Sequence, residues 1–456
     1  MADSSERYRK PGAWTNRSVR ALAGDADPVQ AITEKARALA MDAIQNGWSG
    51  PPYDPFGLAE YLKVTVIARQ DIPDARTIPS RSGFVIEFNP NRPRSRVKYS
   101  ICHELAHTLF PDCADRIRNR ITHRDAKGDD WQLETLCNIG AAELLMPIGT
   151  APSLEGERLT IDSIIEARRQ HEVSAEAVLL RALHLTAHQC CAFSASRRSA
   201  PAAKEGYFLD YSISSRAWHA DIRPGTALPE NTVAAECISI GFTAKGNETW
   251  DNVGSVRVEC LGVPPYPNQI YPRVLGIIRP PKQVPNEVVE ITYVRGDATR
   301  PRGSGPRIVT QVVNDSAFTW GGGFSLAART KWPTAQHAFR SWAEQRNLRL
   351  GNVHLADVDE NLAVVSMIAQ HGFGPSPKPR IRYSALKKCL EYLGNLAAER
   401  DATVHMPKVG SGQAGGSWSI IRELIQDGVC ARGVKVFVYE LPDGNPPHAQ
   451  AALEFS

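Results

Sequence analysis

The stretch SRVKYSICHELAHTLF, residues 95–110, decides how the first part of this chain is read. Ile101, Leu105 and Leu109 recur at helical spacing, and the same run contains the HExxH pattern His103-Glu104-Leu105-Ala106-His107. Positions four apart on a helix share a face, so His103 and His107 point two imidazoles at one ion, with Glu104 beside it as a base. A buried helix carrying a metal centre is expected, in place of two surface histidines. Catalytic zinc takes three protein ligands and keeps one position for water, so the next acidic helix must supply the third. That helix is WQLETLCNIGAAELLM, residues 131–146, which Pro147 ends. Glu134 and Glu143 compete there, but nine residues is about 900° of helix, so they face opposite ways and only one can look at the ion. Asn138, four after Glu134, shares its face and could hold a ligand's orientation, which favours Glu134. His123 and His171 are among the candidates for steadying an oxyanion, and neither is singled out by its pattern.

Working outward, PVQAITEKARALAMDAIQNG (28–47) suits an opening amphipathic helix that stops at Gly47. PFGLAEYLKVTVIAR (55–69) reads as a short helix running into a strand, and GFVIEFNP (83–90) as a second strand. TIDSIIEARRQH (160–171) and SAEAVLLRALHL (174–185) form a helical pair with Ser174 as an N-cap. No basic recognition face follows, so the pair is expected to be structural and no sequence-specific DNA binding is expected. From Cys190 to about Pro285 short runs broken by Pro and Gly suggest a small β-rich module, and PPKQVPN marks a linker.

The chain of 456 residues is long enough for two or three cores. Its 42% apolar and 22% charged residues suit a folded protein and exclude a disordered or fibrous one. No apolar run is long enough to span a membrane and the amino terminus lacks a signal-like centre, so a cytoplasmic location is expected. Nine scattered cysteines, with no CxxC pair, suggest reduced thiols. A net charge of +4 is too small to imply a nucleic-acid protein by electrostatics alone.

With these residues in view, SRVKYSICHELAHTLF followed by ETLCNIGAAELLMP resembles the ImmA/IrrE family of metallo-endopeptidases, over roughly residues 25–190. The resemblance implies a thermolysin-like zinc peptidase whose third ligand is Glu134. It also implies a protein substrate that is a regulator, such as a helix-turn-helix repressor or an antitoxin-like protein. Zinc would polarise the scissile carbonyl and lower the pKa of its water to ~7, while Glu104 moves the proton to the leaving amine.

After Glu287 strands and helices alternate, which argues for an α/β sandwich. Asp297 in RGDAT, the run NDSAFTWGGGF from Asn314, and VGSGQAGGSW from Val409 fall at the carboxyl ends of expected strands, where open α/β sheets bind ligands. Backbone amides in Gly-rich turns can surround a diphosphate. Singly each could be a tight turn. Together they resemble a macro domain, the ADP-ribose-binding module, over about residues 288–442. By that resemblance Asp297 would hold adenine, while Gly321, Gly322 and Gly323 with Gly410, Ser411, Gly412, Gln413, Ala414 and Gly415 would surround diphosphate and distal ribose, and Asn314 and Trp320 complete the pocket. Residues 287–442 carry 19 Lys plus Arg against 14 Asp plus Glu, a net +5 that suits an anionic nucleotide.

The hydrolytic branch of that family uses a lysine after the strand AVVSMIA and an acid in the last glycine loop, and Gln370 and Ala414 stand there. Neither is a nucleophile or acid, which favours a reader of ADP-ribose over an enzyme that removes it. The expectation is a multidomain α+β and α/β protein. It would comprise an HExxH peptidase domain at 1–190, a β-rich connecting module at 191–285, and a three-layer macro domain with its tail at 286–456. Its expected function is a zinc endopeptidase coupled to a sensor of ADP-ribose, or of an ADP-ribosylated macromolecule, in stress or phage defence. The alternative is an ADP-ribosyl hydrolase with the peptidase domain as a recruiting or inactive partner.

Overall fold

The computed structural model describes residues 14–441, apart from 82, 116–117, 120–128, 151–158, 187, 201–202, 216, 219, 221, 223–224, 229–231, 251–252, 266–269, 282–288 and 290. The chain forms two compact units. One comprises Met1–Ala40, Trp48–Pro147 and Ala151–Glu287, the other Met41–Gly47, Ile148–Thr150 and Val288–Ser456. None of the described helices is long and apolar enough to cross a membrane. All nine cysteines are buried, and burial pushes the Cys190 and Cys389 thiols up to about 12.

The chain begins with α1 (Arg17–Ala23), whose first amides, of Ser18 and Val19, donate to the Asn16 side chain, and α2 (Pro28–Gln45). A third helix, α3 (Pro55–Tyr61), starts at the Asp54 cap with Pro at its first turn, where a missing N–H costs nothing. Strands β1 (Thr65–Ala68), β2 (Ala75–Ser80) and β3 (Gly83–Phe88) precede α4 (Arg94–His107), and β4 (Arg118–Asn119) completes a sheet ordered β1-β3-β2-β4. The first pair is parallel and the other two antiparallel. Next come α5 (Asp130–Leu145), α6 (Ile161–His171) and α7 (Ala175–Leu185). Thr160 and Ser163 form a capping box on α6, and Ser174 accepts from Ala177 N on α7, as its position in the sequence suggested.

The β-rich stretch is a five-stranded antiparallel sheet. Strands β5 (Cys191–Ala200) and β6 (Ala203–Ser214), the short helix α8 (Val233–Glu236), then β7 (Thr243–Trp250), β8 (Gly254–Val263) and β9 (Arg273–Arg279) give the order β6-β5-β9-β8-β7. Gly276 lies in mid-strand because a Cβ there would come within 2.1 Å of the Phe193 ring. Polar pairs join this sheet to the helices before it. Glu259 on β8 accepts from Ile161 N at 3.0 Å, and Arg273 on β9 reaches both oxygens of Glu176 on α7, at 3.0 and 3.1 Å. Glu176 and Arg181 on α7 are thus both committed to internal pairs, Arg181 with Glu143 at 3.3 Å.

The second unit holds a six-stranded sheet. In chain order its elements are β10 (Thr292–Arg295), β11 (Arg307–Asn314), α9 (Gly323–Lys331), α10 (Pro333–Trp342), β12 (Val353–Asp359), β13 (Leu362–Gln370), α11 (Tyr383–Glu399), β14 (Thr403–Pro407), α12 (Trp418–Gly428) and β15 (Val436–Glu440). The strand order is β10-β15-β14-β11-β13-β12, all pairs parallel except β12 with β13. Alternate residues of a strand face opposite sides. Ile308, Val365 and Met367 join Leu386, Leu390, Ile421 and Ile425 in one core, while Val309, Val364 and Ile368 join Ala328, Trp332 and Phe339 in the other. Two apolar faces covered by helices make three layers.

His405 on β14 is fully buried. Its ring nitrogens meet Thr403 Oγ1 at 2.8 Å and Tyr439 Oη at 3.0 Å, and it stacks on Phe437. Burial, then the charge of Arg307, pushes its pKa down to about 4. The folded chain keeps this imidazole neutral while the unfolded chain binds a proton below about pH 6.5, so stability is lost as pH falls from there toward 4. Denaturant unfolding of the full chain at pH 7 and pH 4.5 should show this loss. His405→Gln should remove about 2 kcal/mol of it.

Candidate functional site

Helix α4 leaves Pro93 and ends at Thr108, whose hydroxyl donates to Leu105 O. One turn of separation brings the His103 and His107 rings to 5.0 Å between centroids, both fully buried. From α5, one oxygen of Glu134 lies 3.1 Å from His103 Nε2 and the other 3.7 Å from His107 Nε2. The Nδ1 edges are held by other groups. Asn138 Oδ1 lies 2.9 Å from His103 Nδ1 and also accepts from Tyr99 Oη at 2.6 Å, and Cys137 Sγ lies 3.2 Å from His107 Nδ1. Consecutive residues of α5 therefore orient the two imidazoles, each through the ring edge away from Glu134.

Glu104 is fully buried, and its Oε2 accepts from Thr77 Oγ1 on β2 at 2.7 Å. Glu143 has a different surrounding. Arg37 Nε donates to it at 3.0 Å and Arg181 at 3.3 Å, so its charge is balanced by guanidinium groups on α2 and α7. His171 is buried near the end of α6, and His123 lies outside the described residues.

This donor set fits a divalent ion. A tetrahedral ion with bonds of about 2.0–2.1 Å to nitrogen and oxygen spaces its donors by about 3.4 Å, and the two oxygens of Glu134 lie at comparable distances, Oε2 3.1 Å from His103 Nε2 and Oε1 3.7 Å from His107 Nε2. His103, His107 and Cys137 also form a buried group with ligand atoms within 4.8 Å of one another. Cys137 faces Nδ1 of one imidazole, whereas Glu134 faces Nε2 of both, so Glu134 is the better-placed third donor.

In the second unit the loops after β11, β13 and β14 touch in series. Asp297 accepts from Thr299 N and Oγ1, both at 2.8 Å. Asn314 Oδ1 accepts from Ser316 N and Ala317 N, closing the turn before the glycine run. Trp320 is 2% exposed and packs on Phe339, so its indole belongs to the core beneath that run. Gly322 approaches Gln413 so closely that a Cβ would meet its amide at 3.0 Å, and Gly323, at φ 54°, starts α9. Gly410 and Gly415 take positive φ, Gly416 N donates to Gly410 O, and Ala414 O accepts from Arg380 N and Ile381 N. The two glycine loops foreseen for one pocket do lie side by side, each before a helix N-terminus.

Sequence reading missed Thr77, Cys137 and the pair Asp315–His371, whose partners lie on separate elements. Asp315 Oδ2 sits 2.7 Å from His371 Nδ1, and its Oδ1 accepts from Gly372 N and Ser316 Oγ. Burial raises the Asp315 carboxyl, but these bonds outweigh it and hold the group below its ordinary value.

Removing Glu143 would take away the carboxylate that Arg181 and Arg37 share in a buried setting. Glu143→Ala should lower the unfolding free energy by about 3–5 kcal/mol in a denaturant titration.

Known proteins match each part separately. Residues 59–183 fit the family model for the IrrE N-terminal-like domain, Peptidase_M78. A solved macrodomain protein from Streptomyces coelicolor is 40% identical, covering 33% of this chain and 99% of its own, with a TM-score of 0.30. The chromodomain-helicase-DNA-binding protein 1-like of Mus musculus is 28% identical over 177 residues, 36% of this chain and 19% of that protein. An ADP-ribose 1''-phosphate phosphatase of Lodderomyces elongisporus is 27% identical over 137 residues, 28% of this chain and 86% of that protein. The chain spans under a fifth of the helicase-like relative. It carries an IrrE N-terminal-like domain at residues 59–183, and through its C-terminal α/β region it belongs to the macrodomain family.

Proposed function

We propose that this chain is a zinc endopeptidase joined to an ADP-ribose-binding macrodomain. The observation that carries the first half is the convergence of two buried imidazole Nε2 atoms on Glu134, with buried Glu104 next to His103 on the same helix. His103, His107 and Glu134 would hold the ion. When bound, zinc supplies Lewis acidity toward a carbonyl and brings the pKa of a bound water to ~7. Glu104, fixed by the Thr77 hydroxyl, takes a proton from the attacking water and returns it to the leaving amine. Asn138 and Cys137 keep each imidazole turned so that Nε2 faces inward.

The second half is supported by the paired glycine loops at strand ends and by the similarity to the ADP-ribose 1''-phosphate phosphatase of Lodderomyces elongisporus, whose substrate contains ADP-ribose. The net +5 of residues 287–442 suits the anion. On this reading the macrodomain senses or targets ADP-ribose, free or on a macromolecule, and the peptidase cleaves a regulatory protein in stress or phage defence. Support for the substrate class comes from the resemblance of the peptidase region alone.

Metal analysis of purified full chain should find one zinc, lost in His103→Ala and kept in Glu104→Gln. Cys137→Ala or Asn138→Ala should weaken zinc affinity by about 10–100-fold in a chelator competition. Co-expression with candidate regulators should reveal one that is cut about 10²–10⁴-fold more slowly by Glu104→Gln. Metal-free protein from zinc-replete cells would sink the peptidase reading. Calorimetry should show ADP-ribose binding, weakened about tenfold or more in Asp297→Ala.

A further inference from the structure

Among the nine buried cysteines, Cys237 and Cys260 are joined by a hydrogen bond between their side chains, inside the core of the five-stranded sheet. Cys237 closes the short helix α8, and Cys260 lies within β8. The chain after α8 folds back over that strand. The Cys237 carbonyl comes so near that a Cβ at Gly262 would meet it at 2.8 Å, and Gly262 shares a face of β8 with Cys260. Strand β7 then pairs with β8, which places Ala244 opposite Cys260, and the Ala244 amide donates to the Cys237 sulfur. The fold itself therefore brings the two thiols together.

Their surroundings make them unequal. Burial raises the thiols of Cys102, Cys190, Cys191 and Cys389. Cys237 instead lies below its ordinary value, because the hydrogen bond from Cys260 outweighs burial and the Ala244 amide adds to it. Cys260 is raised, by burial first and by Cys237 second. A sulfur that receives a proton donor from a neighbouring thiol is set up to attack, and the neighbour to resolve. Cys237 is also the last buried residue before the exposed run 238–243, so local opening of that run uncovers its sulfur while the sheet stays paired.

We propose that Cys237 and Cys260 are a peroxide-oxidised disulfide site, with Cys237 as the attacking thiol and Cys260 as the resolving one. The Cys237 sulfur gives up its proton and bonds to one oxygen of hydrogen peroxide as the O–O bond breaks. The departing hydroxide takes that proton and leaves as water, and Cys237 becomes a sulfenic acid. The Cys260 sulfur then bonds to the Cys237 sulfur, the S–O bond breaks, and the hydroxide released takes the Cys260 proton. Two thiols and one peroxide give one disulfide and two waters, so the sulfurs are oxidised and the peroxide reduced. The new bond ties the end of α8 to β8 and closes the segment 237–260, which contains the edge strand β7.

The test exposes the reduced, folded full chain to hydrogen peroxide, then alkylates it under denaturing conditions and maps its peptides by mass spectrometry. Alkylatable thiols should fall by two from nine, with one peptide pair linked through Cys237 and Cys260, and dithiothreitol should restore both. After peroxide, dimedone should label Cys237 in Cys260→Ser and leave Cys260 unlabelled in Cys237→Ser. Nine alkylatable thiols after peroxide, or a linkage between other cysteines in its place, overturns the proposal. Dimedone on Cys260 in Cys237→Ser, with none on Cys237 in Cys260→Ser, overturns it as well. The mapping of the unsubstituted chain decides the linkage whether or not either variant folds.

Discussion

The arrangement of the first unit hangs on a concentration of polar groups where the chain can least afford them. His103, Glu104 and His107 on α4 are fully buried, and Glu134 on α5 is 7% exposed. Taking one carboxylate out of water costs several kcal/mol, and two near each other also repel. Such a cluster persists when a cation neutralises it and when every remaining polar edge has a partner. Asn138, Cys137, Tyr99 and Thr77 supply those partners, on two helices and a strand. The helix pair α4 and α5 is therefore fixed by the needs of its polar seam as much as by Leu105, Ala106 and Leu136 around it.

The same logic separates two glutamates of one helix. Glu143 meets guanidinium groups and becomes an internal tie, whereas Glu134 meets the imidazole nitrogens of His103 and His107, which is why it is the proposed donor. In the second unit charge is handled differently. Helix N-termini and glycine turns present backbone amides at the sheet edge, and Asp315 spends its carboxylate on one amide, one hydroxyl and one imidazole.

Local signals carried much of this into the sequence. The i, i+4 histidines, Pro147 after α5, Ser174 before α7 and the largely apolar runs of β11 and β13 are all written in neighbouring residues. Elements that owe their form to distant partners were not legible. Strand β2 has Arg76, Thr77 and Pro79 in place of an apolar alternation, so neither it nor the hold of Thr77 on Glu104 shows in the pattern. Helix α1 is short and begins with Arg17. Cys137 looks like any apolar helix residue until His107 turns toward it, and Asp315 and His371 lie 56 residues apart. The burial of Trp320 against Phe339 was not legible for a related reason, since a tryptophan before glycines reads equally as a ligand contact or as the floor of the turn.

The central claim is that Glu134, and not Cys137, completes a two-histidine centre. X-ray absorption at the zinc edge on the purified full chain tests it directly. The account predicts a first shell of nitrogen and oxygen alone at about 2.0–2.1 Å, and a sulfur neighbour at about 2.3 Å would contradict it.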